Sequence, residues 1–373
     1  MIDKRLVVYL VDGSVARTGA LVCARNIARV LADQAKVVLV VPEEAKLDAA
    51  DIAEFSEVLR LPIRPLRRTL AAAIGYLPWL LVAAYRLRCA MRADGATYLL
   101  INDFHLMHGA IVRLLGYHGR IFTWIRINPA AFGRVAKLWI KAAQWSSNSV
   151  VAVSHFIQKK LPTVSTQLIY DAVNPVFLTQ HPEAHDHGQT FVFIGNYISG
   201  KGQDVAIEAL SMVAKDWPHI RLEFYGSDMG LAKNRIYRAA LEDRVKSLGL
   251  DKRVLFGEFE TDPRGVLSGK FAALNLSRSE SFSMTVLEAA ATGLAVISTR
   301  SGGPEEIIVD GQTGLLIPVG DTVACAAAMT KLCDNPKLAS QMGTAGRKRA
   351  FQLFSQEAFK ARLVTLLQLQ QFD

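Results

Sequence analysis

The sequence is poor in the features that mark disulfide-stabilised, zinc-binding and membrane-spanning proteins. Its 373 residues include four cysteines (Cys23, Cys89, Cys325 and Cys333), and none of them belongs to a Cys-x-x-Cys pair. We therefore expect neither a disulfide framework nor a zinc knuckle, and a reducing compartment fits best. No apolar run reaches the length of a membrane span, and the initial segment MIDKRLVVYLVDG favours a strand over a secretory signal. These absences predict a cytoplasmic protein that is not integral to a membrane.

Several ligand-binding motifs are missing as well. The chain has no Asp-x-Asp motif and no Gly-x-Gly-x-x-Gly turn, and no Cys or carboxylate set accompanies the pairs His105 and His108 or His185 and His187. The sequence thus predicts neither a bound metal nor a nicotinamide cofactor. With 51% apolar and 21% charged residues and no biased tract, the composition is typical of a globular protein.

The excess positive charge lies in one half of the chain. Residues 1–182 contain 22 Lys and Arg against 12 Asp and Glu, whereas residues 183–373 contain 21 against 22. Two interpretations stay open: the first half contacts an anionic partner (lipid headgroups, a phosphorylated acceptor or nucleic acid), or it has a merely soluble basic surface.

Strand-like and helix-like segments alternate along the whole chain, which favours parallel sheets covered by helices. The length indicates two domains, with HPEAHDHGQ as the candidate linker. We predict two Rossmann-like α/β domains with doubly wound parallel sheets and an interdomain cleft: residues 1–180, residues 181–350, and a helix at 351–373 that packs back on the first domain. The predicted strands are RLVVYLV, AKVVLVVP, ATYLLIN, RIFTWIR and SVVAVS, then TFVFIG, IRLEFYG, RVLFG, FAALNLS, LAVIST and GLLIP.

The string SRSESFSMTVLEAAATGLAVIST carries two carboxylates that can face one ligand. Glu280 lies in a polar loop after a predicted strand, and Glu288 lies about two turns into a helix that begins near Phe282. The backbone amides of Phe282, Ser283 and Met284 would be free at the helix start and would attract a phosphate. Carboxylates are good acceptors for the hydroxyls of a sugar or ribose. Taken alone, the two glutamates also fit a helix-stabilising acid and a solvated one.

The segment from Ser277 to about Asp321 resembles the nucleotide-sugar signature of glycosyltransferase family 4, a retaining group with the GT-B fold. The matching features are the Glu-x7-Glu pair, the Glu-Ala-Ala-Ala-x-Gly helix end, Gly302, Gly303, Glu306, Gly311 and Gly314. The resemblance implies that Glu280 contacts the transferred sugar and Glu288 the ribose hydroxyls, and that the amides of residues 282–284 contact the distal phosphate and sugar. Ser283 departs from the family, which usually has glycine there, but its backbone amide remains available.

A second loop, in TFVFIGNYISGKGQDVAIEALSMV, nearly satisfies the P-loop pattern. Gly195, Gly200 and Lys201 have the P-loop spacing, but Gly202 replaces the Ser or Thr that would hold magnesium, which argues against an NTPase. The segment resembles instead the Lys-Gly loop of the same transferases. By that resemblance Lys201 neutralises the donor diphosphate, and Asn196 stands where many members have an arginine.

In the first domain the resemblance implies fewer ligand-binding residues. A glycine at the position of Gly19 lets the backbone approach the donor phosphates or the acceptor. Family members often carry a histidine at the end of the strand matched by RIFTWIR, where this chain has Ile125 and Arg126. Asp103 and His105, at the end of ATYLLIN, are the alternatives that could orient an acceptor hydroxyl.

The segment RPLRRTLAAAIGYLPWLLVAAYRLRCAMR mixes arginines with aromatic and aliphatic residues. This composition fits a membrane interface, where headgroups are anionic and aromatic rings lie at headgroup level. It equally fits a helix that covers a sheet and breaks at Pro78.

The family resemblance as a whole implies a metal-independent, retaining hexosyltransferase of GT-B fold that needs no cofactor besides its nucleotide diphosphate sugar donor. The expected acceptor is a glycan or lipid-linked glycan in bacterial surface polysaccharide or lipopolysaccharide synthesis. We expect no nucleic acid partner. We expect the protein to contact an anionic surface at the inner face of the cytoplasmic membrane. A nucleotide-sugar epimerase and a non-catalytic glycan- or nucleotide-sugar-binding homologue are the alternatives.

Overall fold

The computed structural model describes residues 6–64, 70–161, 163–177 and 189–368. The chain divides into two compact units. Unit 1 contains the residues up to Ala172 together with those from Phe359 onward, and unit 2 contains Val173–Ala358. The linker predicted at HPEAHDHGQ lies outside the described residues except for its last position, Gln189.

Unit 1 is built on a parallel sheet of seven strands. The strands are β1 (Leu6–Val11), β2 (Ala35–Pro42), β3 (Glu57–Leu61), β4 (Tyr98–Ile101), β5 (Arg120–Ile125), β6 (Ser149–Ala152) and β7 (Thr166–Leu168). Their order in the sheet is β3-β2-β1-β4-β5-β6-β7. The sequence did not predict β3 or β7, which form the two edges of the sheet. Their sequences, EVLRL and TQL, are short and partly polar because an edge strand is not buried on all sides.

Helices connect these strands. They are α1 (Gly19–Leu31), α2 (Ala49–Ile52), α3 (Leu70–Ala93), α4 (His108–Leu114), α5 (Val135–Ser146) and α6 (His155–Lys159), with a short 3-10 helix at Pro129–Phe132. The break expected at Pro78 is wrong, because α3 continues through this residue. Pro78 lies on the exposed side, whereas Ala83, Ala84 and Leu87 are buried against the sheet. That packing outweighs the cost of an internal proline, about 3 kcal/mol.

Unit 2 is built on a second parallel sheet, of six strands. The strands are β8 (Thr190–Ile194), β9 (Arg221–Tyr225), β10 (Val254–Gly257), β11 (Ala272–Asn275), β12 (Ala295–Thr299) and β13 (Leu315–Ile317). Their order is β10-β9-β8-β11-β12-β13, and each lies within a segment predicted as a strand. The order reverses between β8 and β11, so the loops that follow these two strands diverge. Ligands of such sheets bind at this point, outside the carboxyl ends of the strands.

The helices of the second half belong to unit 2 with this sheet, apart from most of α14. They are α7 (Gln203–Val213), α8 (Ala232–Ser247), α9 (Pro263–Leu267), α10 (Met284–Ala291), α11 (Pro304–Ile307), α12 (Thr322–Asp334), α13 (Pro336–Phe354) and α14 (Gln356–Leu367), with a 3-10 helix at Pro175–Phe177. The end of α14 belongs to unit 1. There the carbonyl of Leu367 accepts hydrogen bonds from Tyr98 Oη and Arg120 Nη1, each at 3.1 Å.

Candidate functional site

Two loops of unit 2 bring a cation and a carboxylate together. Lys201 lies in the loop between β8 and α7, and Glu280 lies in the loop between β11 and α10; Lys201 Nζ is 2.7 Å from Glu280 Oε1. Ser277 Oγ donates to the same carboxylate oxygen, also at 2.7 Å. The side chains of Lys201 and Glu280 are 35% and 15% exposed. The pair is therefore held in place yet open to a ligand.

Backbone hydrogen bonds fix the loop that carries Glu280. Its amide donates to the carbonyl of Ser301 at 3.0 Å, and its carbonyl accepts from the amide of Gly303 at 2.9 Å. On the other side, the amide of Arg278 donates to the carbonyl of Gly200 at 2.9 Å. The loops after β8, β11 and β12 are thus joined, so the position of Glu280 is set by the whole carboxyl edge of the sheet.

Two glycines of these loops are required by close approaches. Gly202 has φ +92°, and a Cβ there would lie 2.2 Å from the carbonyl oxygen of Leu276. A Cβ on Gly303 would lie 2.2 Å from Phe282 Cα. The glycine that removes the magnesium-binding hydroxyl of a P-loop is therefore a steric requirement of this loop pair.

The helix after Glu280 begins at Met284, two residues later than Phe282. Ser283 is its N-cap, with φ +90°, and its Oγ accepts from Asn275 Nδ2 at 3.2 Å and from the amide of Val286 at 3.5 Å. The amides of Ser283 and Met284 donate to no atom of the described residues, which leaves them available to an anion. Phe282 is buried, and its ring packs on Phe354 with 5.4 Å between centroids.

Asn196 and Glu288 occupy different parts of the same edge. Asn196 Oδ1 accepts from the amide of Ser227 at 3.1 Å, and its carbonyl accepts from Gln203 Nε2 at 3.0 Å. The side chain of Asn196 therefore ties the loop after β8 to the loop after β9. Glu288 lies half-buried in the second turn of α10.

In unit 1 the structure brings Asp103 and His105 together after β4. His105 Nδ1 is 3.7 Å from Asp103 Oδ2, and the imidazole stacks on Phe132 with 5.7 Å between centroids. Asp103 Oδ1 accepts from the amides of Phe104 at 2.8 Å and Arg126 at 3.3 Å. Burial raises the pKa of Asp103 to about 6, although His105, the two amides and the charge of Arg126 oppose the shift.

A buried polar network beneath this pair was not predicted. Arg126 Nη1 donates to both carboxylate oxygens of Asp171, at 2.7 and 2.8 Å, and its Nε donates to Asn102 Oδ1 at 2.7 Å. Asn102 Nδ2 in turn donates to the carboxylate of Asp12. Burial lowers the pKa of Arg126, but Asp171 more than offsets this and holds the pKa above its ordinary value. A polar residue directly after each of β1, β4 and β5 was the signal in the sequence.

Gly19 is the first residue of α1, capped by Thr18. A Cβ at Gly19 would meet no atom within 4 Å, so glycine is not required there by packing, and the backbone is accessible. Across the described ranges no three His, Cys, Asp or Glu side chains are grouped as metal ligands would be, and metal independence stays a prediction. None of the described helices is long and apolar enough to cross a membrane.

Sequence comparisons relate the second half of the chain to sugar-transferring enzymes. Residues 179–349 match the model of the family described as Glycosyl transferases group 1. The chain is 35% identical over 122 residues to N-acetyl-alpha-D-glucosaminyl L-malate synthase of Bacillus anthracis, covering 33% of this chain and 32% of that protein. It is 28% identical over 174 residues to the lipopolysaccharide core biosynthesis glycosyltransferase LpsE of Rhizobium meliloti (strain 1021), covering 47% and 48%. The matches thus span about a third to a half of these relatives.

Solved structures match over nearly the whole chain. Anabaena Alr3699/HepE in complex with UDP-glucose superposes with a TM-score of 0.83 at 18% identity, covering 98% of this chain and 100% of that one. Sucrose-phosphate synthase from Thermosynechococcus elongatus gives a TM-score of 0.80 at 20% identity, covering 98% of each chain. With its parallel sheets of seven and six strands, the chain has the GT-B fold of these glycosyltransferase structures, and the predicted fold class is confirmed.

Proposed function

We propose that the protein is a retaining glycosyltransferase that moves a sugar from a nucleotide diphosphate donor to a glycan or lipid-linked glycan acceptor. The observation that carries this proposal is the contact of Lys201 with Glu280, between the loops after β8 and β11, inside the region that matches the group 1 family. A cation and a carboxylate at the point where the strand order reverses suit a ligand with both phosphates and hydroxyls.

Different groups of unit 2 bind different parts of the donor. Lys201 and the amides of Ser283 and Met284 bind the diphosphate, because all of them offer N–H groups to an anion. Glu280 accepts hydrogen bonds from hydroxyls of the transferred sugar, and Glu288 accepts from those of the ribose. Support comes from the position of Lys201 and Glu280 in one partly exposed pair and from the unused amides at the start of α10.

The reaction proceeds on one face of the sugar. The bond from the anomeric carbon to the phosphate oxygen breaks, the bond to the acceptor oxygen forms on the same side, and the departing phosphate oxygen takes the acceptor proton. This route needs neither a protein nucleophile nor a metal. Lys201 stabilises the negative charge that accumulates on the leaving group. Such electrostatic stabilisation of the transition state is usually the largest single contribution to catalysis.

The acceptor lies with unit 1 in this proposal. Asp103 and His105 orient its hydroxyl, supported by their mutual contact and by the exposed fraction of His105, 27%. The name of the relative LpsE supports an acceptor from lipopolysaccharide or surface polysaccharide synthesis. To act on such an acceptor, the protein binds an anionic lipid surface at the inner face of the cytoplasmic membrane.

A thermal-shift panel of UDP-, GDP-, ADP- and dTDP-sugars tests donor binding. A bound donor at a hundred times its dissociation constant should stabilise the protein by about 2.7 kcal/mol. Release of the nucleoside diphosphate should then depend on added lipid or glycan extract and persist in EDTA, and NMR of the product should show a retained anomeric configuration. Release without any acceptor would favour an epimerase, binding without release would favour a non-catalytic homologue, and loss in EDTA restored by manganese would refute the metal-free route.

A further inference from the structure

Three neighbouring helices of unit 1 share an outward surface that is apolar and basic. The crossovers from β3 to β4, β4 to β5 and β5 to β6 are right-handed, so α3, α4 and α5 lie on the same side of the sheet, and α4 packs against both of the others. We call the outward side of this layer the α3–α5 face. Its exposed large apolar side chains are Leu77, Trp79, Leu81, Val82, Tyr85, Leu114, Leu115, Val135, Leu138 and Trp145.

The clearest pattern is on α5. Val135, Leu138 and Trp145 recur at spacings of three and seven residues, which places them on one side of the helix. Leu138 is 67% exposed and Trp145 is 60% exposed. Lys137 and Lys141 are exposed beside this apolar stripe, whereas the opposite side of α5 packs into the unit. An apolar stripe flanked by lysines is the pattern of a helix that lies in a bilayer interface.

The end of α4 adds to the same surface. Arg113 donates from Nε and Nη2 to the carbonyl of Ser146, at 3.0 and 2.9 Å, and so ties the last turn of α4 to the last turn of α5. Leu114, which follows Arg113, is 68% exposed. This contact brings Leu114 to the end of α5 that carries Trp145, which widens the apolar stripe beyond one helix.

The charge around the α4 and α5 part of this surface has one sign, whereas Arg86 on α3 is paired with Glu43. Residues 104–170 contain no Asp or Glu. Among the residues that the structure describes, none forms an ion pair with Arg134, Lys137 or Lys141. A second copy of the chain would place these cations opposite each other, and such juxtaposed like charges cost several kcal/mol. An anionic partner removes that cost.

We propose that the α3–α5 face docks on an anionic lipid bilayer, with Leu138 and Trp145 in the interface and Lys137 and Lys141 at the phosphate groups. The proposal rests on the proposed function, because a lipid-linked acceptor is presented at such a surface. Aromatic rings lie at headgroup level, and each lysine near an anionic surface contributes about 1 kcal/mol. The α5 stripe extends the docking surface beyond the arginine-rich segment that the sequence suggested.

The test is sedimentation of the full chain with vesicles of phosphatidylcholine alone or mixed with phosphatidylglycerol. Wild type should bind the mixed vesicles, and the double variant Lys137→Glu/Lys141→Glu should bind at least about tenfold more weakly. The matched control is Lys233→Glu/Lys246→Glu on α8 of unit 2, which changes the net charge equally and should bind like wild type. Equal loss in both variants, or equal binding of wild type to neutral vesicles, would overturn the proposal.

A second pair of variants isolates the apolar part. Leu138→Ser/Trp145→Ser should weaken binding to mixed vesicles, whereas Ile236→Ser on α8, at a residue that is 71% exposed, should not. If Leu138→Ser/Trp145→Ser bound the mixed vesicles as tightly as wild type, docking on lipid would be contradicted. The same would follow if wild type were a dimer and these substitutions dissociated it. The thermal shift with the donor should be unchanged in every variant. A wild type that binds vesicles but no nucleotide sugar would refute the proposed function alone.

Discussion

The carboxyl edges of the two sheets carry charged groups that differ in their exposure to solvent. At the edge of the second sheet, Lys201 and Glu280 are partly exposed and lie in loops that backbone hydrogen bonds hold in place. At the edge of the first sheet, Arg126 and Asp171 are each only 6% exposed at the side chain and are bonded to each other. The carboxyl edge of the second sheet therefore holds an ion pair that a ligand can reach, whereas that of the first sheet holds an ion pair that stabilises the fold.

The difference shows that charged groups at the carboxyl ends of parallel strands need not have the same role in both sheets. A buried charge must be paired, because removing it from water costs several kcal/mol. Arg126 donates from Nη1 to Asp171 and from Nε to Asn102, so it ties these strand ends together, while its buried Nη2 has no hydrogen-bond partner among the described residues. The residues that we propose for the acceptor in unit 1, Asp103 and His105, belong to the loop that follows β4, next to this network.

The largest effect on stability is expected from breaking the buried pair. Arg126→Met leaves the carboxylate of Asp171 buried without its cation and should lower the free energy of unfolding by about 3–5 kcal/mol. The matched variant Arg244→Met breaks the exposed pair with Glu208 and should leave the free energy of unfolding nearly unchanged. Urea denaturation of both variants measures the difference. Equal costs would mean that the Arg126–Asp171 pair contributes no more to stability than an exposed ion pair.

The largest effect on activity is expected at the exposed pair. Lys201→Ala should lower kcat on the order of 10²- to 10³-fold, because it removes a cation at the leaving group. Because Lys201 and Glu280 are in contact, the double variant Lys201→Ala/Glu280→Ala should lose much less than the product of the two single losses. Steady-state kinetics on the three variants measures this coupling, and strictly multiplicative losses would show that the two residues act independently.

The titration of Asp103 gives the first sheet its own pH dependence. A raised pKa of about 6 means that the contribution of Asp103 to stability is complete below about pH 4 and is lost as the pH rises through 6. Burial lowers the pKa of His108 to about 4, so its contribution has the opposite sign and is lost as the pH falls through that value. Relative to wild type, Asp103→Asn should therefore gain roughly 2 kcal/mol between pH 4 and pH 6. Denaturation of wild type and Asp103→Asn across this pH range measures the difference in their free energies of unfolding. A difference that does not change with pH would refute the raised pKa of Asp103.

Binding of the bare nucleoside diphosphate sharpens the roles within unit 2. Glu288→Ala should weaken it by about 1.5–3 kcal/mol, because the variant loses a hydrogen bond from the ribose to a charged group. Glu280→Ala should bind at least as tightly as wild type, since it frees Lys201 for the diphosphate. Calorimetry separates the two variants, and equal impairment of both, with the fold intact, would mean that the assigned roles are wrong.

The smallest effect is expected at the cap of α10. Ser283 keeps a positive φ that costs a non-glycine residue about 1–3 kcal/mol, but its hydroxyl caps the helix and accepts from Asn275. Both Ser283→Gly and Ser283→Ala lose the capping hydroxyl, but the glycine variant relieves the strain of the positive φ, whereas the alanine variant keeps it. Thermal unfolding should therefore find the alanine variant less stable than the glycine variant by about 1 kcal/mol or more. The reverse order would show that the backbone at Ser283 is not strained.

The sequence predicted most of the fold because buried parallel strands are nearly continuous apolar runs. AKVVLVVP and TFVFIG are such runs, and both became strands in the middle of a sheet. The edge strands EVLRL and TQL lack that pattern and were missed. Pro78 misled the prediction for α3, because local propensity says nothing about the packing of Ala83 and Leu87 on the sheet.

The sequence also made Glu280, Glu288 and Lys201 ligand-binding candidates, because the segments that carry them resemble a family signature; taken alone, the two glutamates also fitted a structural role. Tertiary structure alone decided that Lys201 meets Glu280, that Ser277 shares its oxygen and that Arg126 pairs with Asp171. These partners are separated by up to 79 residues, as for Lys201 and Glu280. Which strand ends become neighbours is set by the order of the strands in the sheet, and packing of the whole chain determines that order.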